Sequence, residues 1–341
     1  MTVAPRSCAS CGETGCVMHA KHGVFAPAAE QTSYILDDVW PEYASMVSST
    51  AQPNDQIIAP GLLGRPGLDR YRWPGQPAHK ASLATFRRHA EMRRVAEAPG
   101  GVRQRAYLAE DRKLGHALAQ HIDYRARHLV VAQTWLPALE EAGVLGGRSY
   151  DVLMSRYPLG EVHRLLDRTA KQTGPSTTIN DFRAPDSLVE REAALLSGAR
   201  HIITPHHGIG ALFPGQWLPL AWHRPEAKPH ISGSRVAYIG SNLTRHRPDI
   251  VHELAAKLEE PLIVFGAKRG AQWEGIATEH RNMGADWLND IGTIIQPAAM
   301  INQPRLLLSA QAAGITIYAS NGCGLAPGDF RPVSDLVRVS A

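Results

Sequence analysis

Short runs of β-branched and apolar residues alternate along this chain with segments whose apolar positions recur at helical spacing. Beyond residue 100 the rhythm is regular. Helical stretches at 110–120, 136–142, 159–171 and 187–196 each lead to a strand-like run, at 128–132, 150–154, 176–179 and 201–204. Helices interleaved with short buried strands predict a parallel sheet covered on both faces. A last strand at 217–221 closes this series, and the Pro-, Lys- and Gly-bearing stretch 224–234 reads as a linker. A second series follows: strand 235–239, helix 248–258, strand 262–265, strand 293–295, helix 304–313 and strand 315–319. Upstream lie a strand at 56–59, an irregular Gly/Pro/Arg-rich loop at 61–77 and a helix at 82–96 that Pro99-Gly100-Gly101 should end. Leu36, Val39, Trp40 and Tyr43 have helical spacing, interrupted by Pro41. The expected organisation is an extension, 1–50, a first α/β lobe, 51–228, and a second, 229–341.

The totals change this picture little. With 341 residues, 44% hydrophobic and 20% charged, the chain is long enough for two ordinary domains. A net charge of +4 suits a soluble protein with an Arg-rich face, a basic cleft for a phosphorylated ligand, or peripheral contact with an anionic membrane. No apolar run approaches the ~18 residues of a membrane span. The N-terminal stretch has no apolar signal core, so the expected location is cytoplasmic.

The cysteines are more telling. Three of the four lie close together as Cys8, Cys11 and Cys16, and His19 follows in a C-x2-C-x4-C-x2-H spacing. In a reducing compartment, three thiolates and an imidazole suit tetrahedral zinc, with Gly12 and Gly15 allowing tight turns. His22 is a spare ligand; unpaired thiols and redox or iron chemistry are the other readings. Four protein ligands close a site, so this zinc is structural and no catalytic metal is expected. Its role would be to order the extension.

The stretch 294–325 carries the main functional signal: a Gln-Pro loop, a Leu-rich helix, Ala-Ala-Gly, a strand, Ser, then Asn321-Gly322-Cys323-Gly324-Leu325. This order of elements, with the earlier lobe, resembles the GT-B glycosyltransferases over roughly 128–325. The resemblance implies two Rossmann-like parallel-sheet lobes, with the second holding a nucleotide-sugar donor. It also implies transfer of that sugar to a carbohydrate, lipid-linked or protein acceptor, without a catalytic metal; no nucleic-acid-binding module is legible in the sequence, so nucleic acid is not an expected partner. On these grounds the GSNLTRHRP segment should supply Gly240, Ser241, Asn242 and Arg245 to the donor, with Gly266, Lys268 and Arg269 from the next strand end. Arg245 is the first choice for the diphosphate.

Many retaining members carry two glutamates around the Leu-rich helix. Here Asn302, Gln303, Ser309 and Gln311 offer only neutral donors and acceptors. In the first lobe, strand ends present Asp181, His206 and His207 as candidate bases for an acceptor hydroxyl. Two other readings stand beside sugar transfer: a catalytically silent relative with the cysteine knuckle as docking module, and a nucleotide-sugar epimerase. No Walker-type loop, G-x-G-x-x-G, H-E-x-x-H or G-x-S-x-G motif points elsewhere. Zinc analysis of the purified protein should find about one equivalent, with Cys8→Ser both metal-poor and less stable. Substoichiometric metal, with Cys8→Ser as stable as the parent, would remove the zinc assignment.

Overall fold

The structure, a computed structural model, describes residues 31–61, 71–73, 79–270 and 273–339. The cysteine–histidine cluster Cys8, Cys11, Cys16 and His19 lies outside them. The chain forms two compact units, each built on one sheet. The first comprises the chain up to Gly160 with Ala184–Thr204 and Phe213–Ala221; the second comprises Glu161–Arg183, Pro205–Leu212 and the chain from Trp222.

Along the chain, β1 (Gln31–Ile35), α1 (Pro41–Thr50), β2 (Gln56–Ala59), β3 (His79–Lys80), α2 (Ser82–Arg94) and α3 (Gly100–Ala119) come first. Then follow β4 (Ala126–Ala132), α4 (Leu136–Glu141), β5 (Ser149–Leu153), α5 (Leu159–Thr173), α6 (Thr177–Asn180) and α7 (Asp186–Ser197). β6 (Ile202–Thr204), α8 (His207–Gly210) and β7 (Trp217–Pro219) complete the series. The first sheet has the order β3-β2-β1-β4-β5-β6-β7, and every neighbouring pair is parallel.

Several sequence expectations change here. The helical spacing of Leu36, Val39, Trp40 and Tyr43 does not correspond to one helix interrupted at Pro41: Tyr34 and Ile35 end a central strand, and Pro41 opens α1 at its first turn, where a missing N–H does no harm. The first lobe therefore reaches back to Gln31, inside the segment read as extension. Pro99-Gly100-Gly101 starts α3 instead of only ending α2. The run 176–179 is no strand but the one-turn helix α6. Its Ser176 and Thr178 hydroxyls bond each other at 2.8 Å, a local arrangement that competes with sheet pairing. β7 ends at Pro219 and the next strand begins at Arg235, while residues 161–183 and 205–212 group with the second unit.

The second series is β8 (Arg235–Ile239), α9 (Pro248–Ala255), β9 (Leu262–Phe265), β10 (Thr278–Arg281), β11 (Ile291–Gln296), α10 (Arg305–Ala312), β12 (Thr316–Ala319), β13 (Arg331–Pro332) and α11 (Val333–Val339). Its sheet runs β10-β9-β8-β11-β12-β13, again parallel throughout. Both faces are buried. Ala237, Ile239, Ile263, Phe265 and Ile294 pack with Leu307 and Leu308 of α10, while Tyr238, Leu262, Val264 and Ile295 pack with Val251 and Leu254 of α9. Alternate residues of one strand thus serve opposite cores, as a sheet with helices on both sides requires. Among the described residues no helix is long and apolar enough to cross a membrane.

Candidate functional site

Each sheet has one point where the strand order reverses, and there the loops leaving two neighbouring strands diverge to open a crevice. In the second unit this point lies between β8 and β11; in the first it lies between β1 and β4.

In the second unit the loop after β8 is tightly tied. A Cβ on Gly240 would fall 2.2 Å from the Tyr238 hydroxyl, so only glycine fits without a shift. That hydroxyl donates to the carbonyls of Ser241 (3.1 Å) and His246 (3.3 Å). His246 Nδ1 accepts from the Ser241 N–H at 2.9 Å, and Arg247, in the left-handed region at φ 52°, hands the chain to Pro248. The Gly240 N–H donates to the Phe265 carbonyl (3.0 Å). Gly266, at φ +82°, then passes so near Gly240 that a Cβ would lie 2.8 Å from its carbonyl oxygen.

This frame displays Arg245. Its carbonyl accepts the Ala299 N–H at 2.8 Å, a bond that joins the loop after β8 to the loop after β11 at the reversal point. Its guanidinium carbon lies 4.1 Å from the centroid of the Phe182 ring, and burial pulls its pKa down. Among the described residues, no carboxylate pairs with it and no acceptor bonds it. A partly desolvated cation without a counter-charge is unfavourable unless something else supplies the anion. Arg247 differs: it is held by Asp249 (2.8 Å) and by Gln172, a structural role.

The remaining donor candidates are placed as follows. Asn242 Nδ2 donates to the Lys268 carbonyl at 3.0 Å, joining the loops after β8 and β9, and Lys268 and Arg269 are exposed at that end. Asn302 and Gln303 are exposed beyond β11. The Ser309 hydroxyl bonds back to the Arg305 carbonyl of its own helix (3.0 Å). Gln311 points elsewhere, donating to Asp329 at 2.8 Å.

The base candidates group by contacts with the second unit; His206 and His207 follow β6 of the first sheet, whereas Asp181 follows a helix and no strand. Asp181 caps α6, beside Phe182. His206 is fully buried. Its Nδ1 accepts from the Ile209 N–H (3.1 Å), so Nε2 carries the proton it gives to the Ile301 carbonyl (2.9 Å). Burial pushes its pKa down to about 4 against the opposing pull of that carbonyl. With both nitrogens engaged, it fastens the Gly loop: a Cβ on Gly324 would sit 2.8 Å from the ring, and the next N–H, of His207, donates to the Gly324 carbonyl at 3.1 Å. Cys323 is buried and its thiol is pushed up to about 11, so it acts as a small residue, as expected.

In the first unit the reversal point presents a group that the sequence reading missed. Asp37 follows β1 directly, and its carboxyl pKa is pushed up to about 6, by burial first and then by Asp38 and Asp111. A hydrogen bond from Thr134, just past β4, and the charge of Arg88 oppose the rise. Arg88 itself is taken by Asp111, through Nε at 2.9 Å and Nη2 at 2.7 Å. Trp73 Nε1 donates to the Asp37 carbonyl (2.8 Å) and Trp135 Nε1 to the Leu36 carbonyl (3.0 Å), so the loop is fixed by indoles. The available signal was an Asp-Asp pair immediately after the run SYIL, once that run is taken as strand.

No family model matches the chain, and no curated protein matches it. Among solved structures it is similar to the apo form of WaaB, a lipopolysaccharide outer core galactosyltransferase, at 11% identity over 90% of this chain and 88% of that one, TM-score 0.49. It is also similar to WaaG, a glycosyltransferase involved in lipopolysaccharide biosynthesis (14%, 89% and 84%, TM-score 0.44). A third is Medicago truncatula UGT71G1 complexed with UDP-glucose (12%, 85% and 80%, TM-score 0.42). At such identities and scores the functional weight falls on the residues themselves.

The buried histidines set a pH dependence. His206 and His246 both have folded pKa values pushed from 6.5 to about 4, burial being the main cause. The unfolded chain therefore binds more protons across this window, and stability present above pH 6.5 is lost as pH falls toward 4. Urea midpoints measured from pH 7 to 4 should fall, and His246→Gln should flatten the slope. A slope unchanged by that substitution would contradict the neutral, buried state of His246.

Proposed function

We propose that the protein transfers a sugar from a nucleoside-diphosphate donor to an acceptor hydroxyl, with the second unit binding the donor. Arg245 is the observation that carries this reading. It stands at the strand-order reversal, desolvated and stacked on Phe182, with no counter-charge among the described residues. A diphosphate supplies that charge, and a guanidinium in a low-dielectric site stabilises the leaving group as negative charge builds on it. Gly240 and Gly266 keep the backbones of the loops after β8 and β9 close together. Lys268 and Arg269 offer further positive charge from the β9 end, and Ser241, Asn242, Asn302 and Gln303 offer hydrogen bonds to ribose or sugar hydroxyls.

In the first unit Asp37 is the favoured base. Its pKa near 6 leaves it ionised at neutral pH yet basic enough to take a proton. The acceptor O–H gives its proton to Asp37 as oxygen attacks the anomeric carbon, and the bond to the diphosphate breaks with its electron pair leaving on the nucleotide. Asp181 and His207 stand behind Asp37 as candidates, and His206 serves best as the fastening of the Gly loop. Such transfer suits a soluble or peripheral enzyme of polysaccharide or glycoconjugate synthesis. Ser309, spent on its own helix, and exposed Gln303 favour a second reading, a nucleotide binder without transfer.

Calorimetry with UDP-, GDP-, TDP- and CMP-linked compounds tests the donor site. One nucleoside diphosphate should bind, and Arg245→Gln should weaken it tenfold or more, about 1.4 kcal/mol. No response to any nucleotide would end this reading, and epimer formation without an acceptor would redirect it to an epimerase. Asp37→Asn should lower kcat on the order of 10²-fold or more. It should also stabilise the protein at pH 7 by on the order of 2 kcal/mol, because a carboxyl whose folded pKa is raised loses its stabilising contribution as pH climbs from 3.8 through about 6. Wild-type kcat/KM should fall below about pH 6. Full activity in Asp37→Asn would remove the base assignment while leaving donor binding untouched.

A further inference from the structure

The first unit contains a cavity of about 390 Å³ among α3, α4, α7 and the ends of β4 and β5. Its wall includes Leu108, Pro137, Leu159 and Leu188, which make it largely apolar, and Thr134, the residue that bonds Asp37, lines it as well. Charged groups on the wall are nearly all matched. Asp111 is held by Arg88 at 2.7 Å, and Glu141 takes Arg112 at 2.5 Å as well as Arg191. Glu192, 1% exposed, accepts from the Leu159 N–H (2.5 Å) and Gln133 Nε2 (3.0 Å).

Arg156 is the exception. It lines the cavity, its Nε is shut away from solvent without a partner, and no hydrogen bond or ion pair engages its guanidinium among the described residues. The first turn of α7 borders the same space through Pro185 and Ser187, and no side chain caps it; Asp186 in that turn is exposed. An unmatched guanidinium beside uncapped helical N–H groups is a place for an anion.

We propose that this cavity takes an acceptor bearing a phosphate or carboxylate group on a compact apolar body, with Arg156 binding the anion. This assignment rests on the sugar-transfer reading for the word acceptor, and on the cavity alone for the anion. The apolar wall accommodates the body, and Thr134 places the bound molecule next to Asp37, the proposed proton acceptor. A volume of about 390 Å³ falls within the range of small-molecule sites.

Binding of phenyl phosphate against phenol, and of benzoate against benzyl alcohol, to the full-length protein tests the proposal. At least one anion should bind, with its neutral counterpart at least tenfold weaker. Arg156→Gln should weaken the anion tenfold or more, and Arg245→Gln should leave it unchanged. The phosphate and carboxylate arms separate the two sources of charge. Because Arg156 has no partner to lose among the described residues, Arg156→Gln should melt no lower than the parent; if it fails to fold, Arg156→Lys, which keeps the charge, should retain binding, and Leu188→Trp, which fills the space, should abolish it. Equal binding of neutral and charged probes, indifference to Arg156→Gln, or loss with Arg245→Gln alone would overturn the proposal. Nucleotide binding measured alongside keeps the failures apart. Intact nucleotide binding with no anion binding defeats this inference only, and anion binding through Arg156 without any nucleotide defeats the donor reading only.

Discussion

A positive charge held partly out of water, with no negative partner among the described residues, occurs once in each unit and is the feature on which the proposed ligand sites depend. Removing an ion from water costs several kcal/mol unless a counter-charge repays it. Among the described residues several arginines are matched: Arg88 with Asp111, Arg200 with Asp151, Arg247 with Asp249. Arg245 and Arg156 are not, and both occur beyond strand carboxyl ends. In an all-parallel sheet whose faces are both covered by helices, that edge is where polar groups can gather without disturbing a core. The unmatched arginines, each in its own unit, are the basis on which anionic ligands are proposed at these edges.

Local chemistry at these edges serves stability in one place and function in another. His206 and His246 are neutral buried connectors whose hydrogen bonds fix loops, so acid weakens them. Asp37 works in the opposite sense. Its burial near Asp38 and Asp111 makes the ionised form unfavourable, and a fold shaped only for stability would not keep it there. Indole donors from Trp73 and Trp135 hold the surrounding backbone, so the strain is local and the carboxylate is kept in position.

Much of this was legible in the sequence, and the failures have physical causes. Strands 235–239 and 262–265 coincide with β8 and β9, because their β-branched runs end at glycines that the loops need. The loop around Arg245 is legible in the sequence, but its lack of a partner among the described residues is a fact of three dimensions. Segment 176–179 misled because four β-branched and polar residues cannot distinguish a strand from one helical turn. β10, with its sequence TEHR, lies at a sheet edge and carries no apolar signal. Asp37 was hidden by the helical spacing of Leu36, Val39, Trp40 and Tyr43, which actually spans a strand end, a loop and a helix start. Grouping of 161–183 and 205–212 with the second unit depends on long-range contacts that no local pattern encodes.

The central claim is that the loops after β8 and β11 form an anion site organised by Arg245. Hydrogen–deuterium exchange with and without saturating nucleoside diphosphate tests it most directly. The account predicts slower exchange in 240–247 and 297–303, with the Arg245→Gln protein showing little change. Binding of nucleotide with protection confined to other segments, or equal protection in Arg245→Gln, would contradict it.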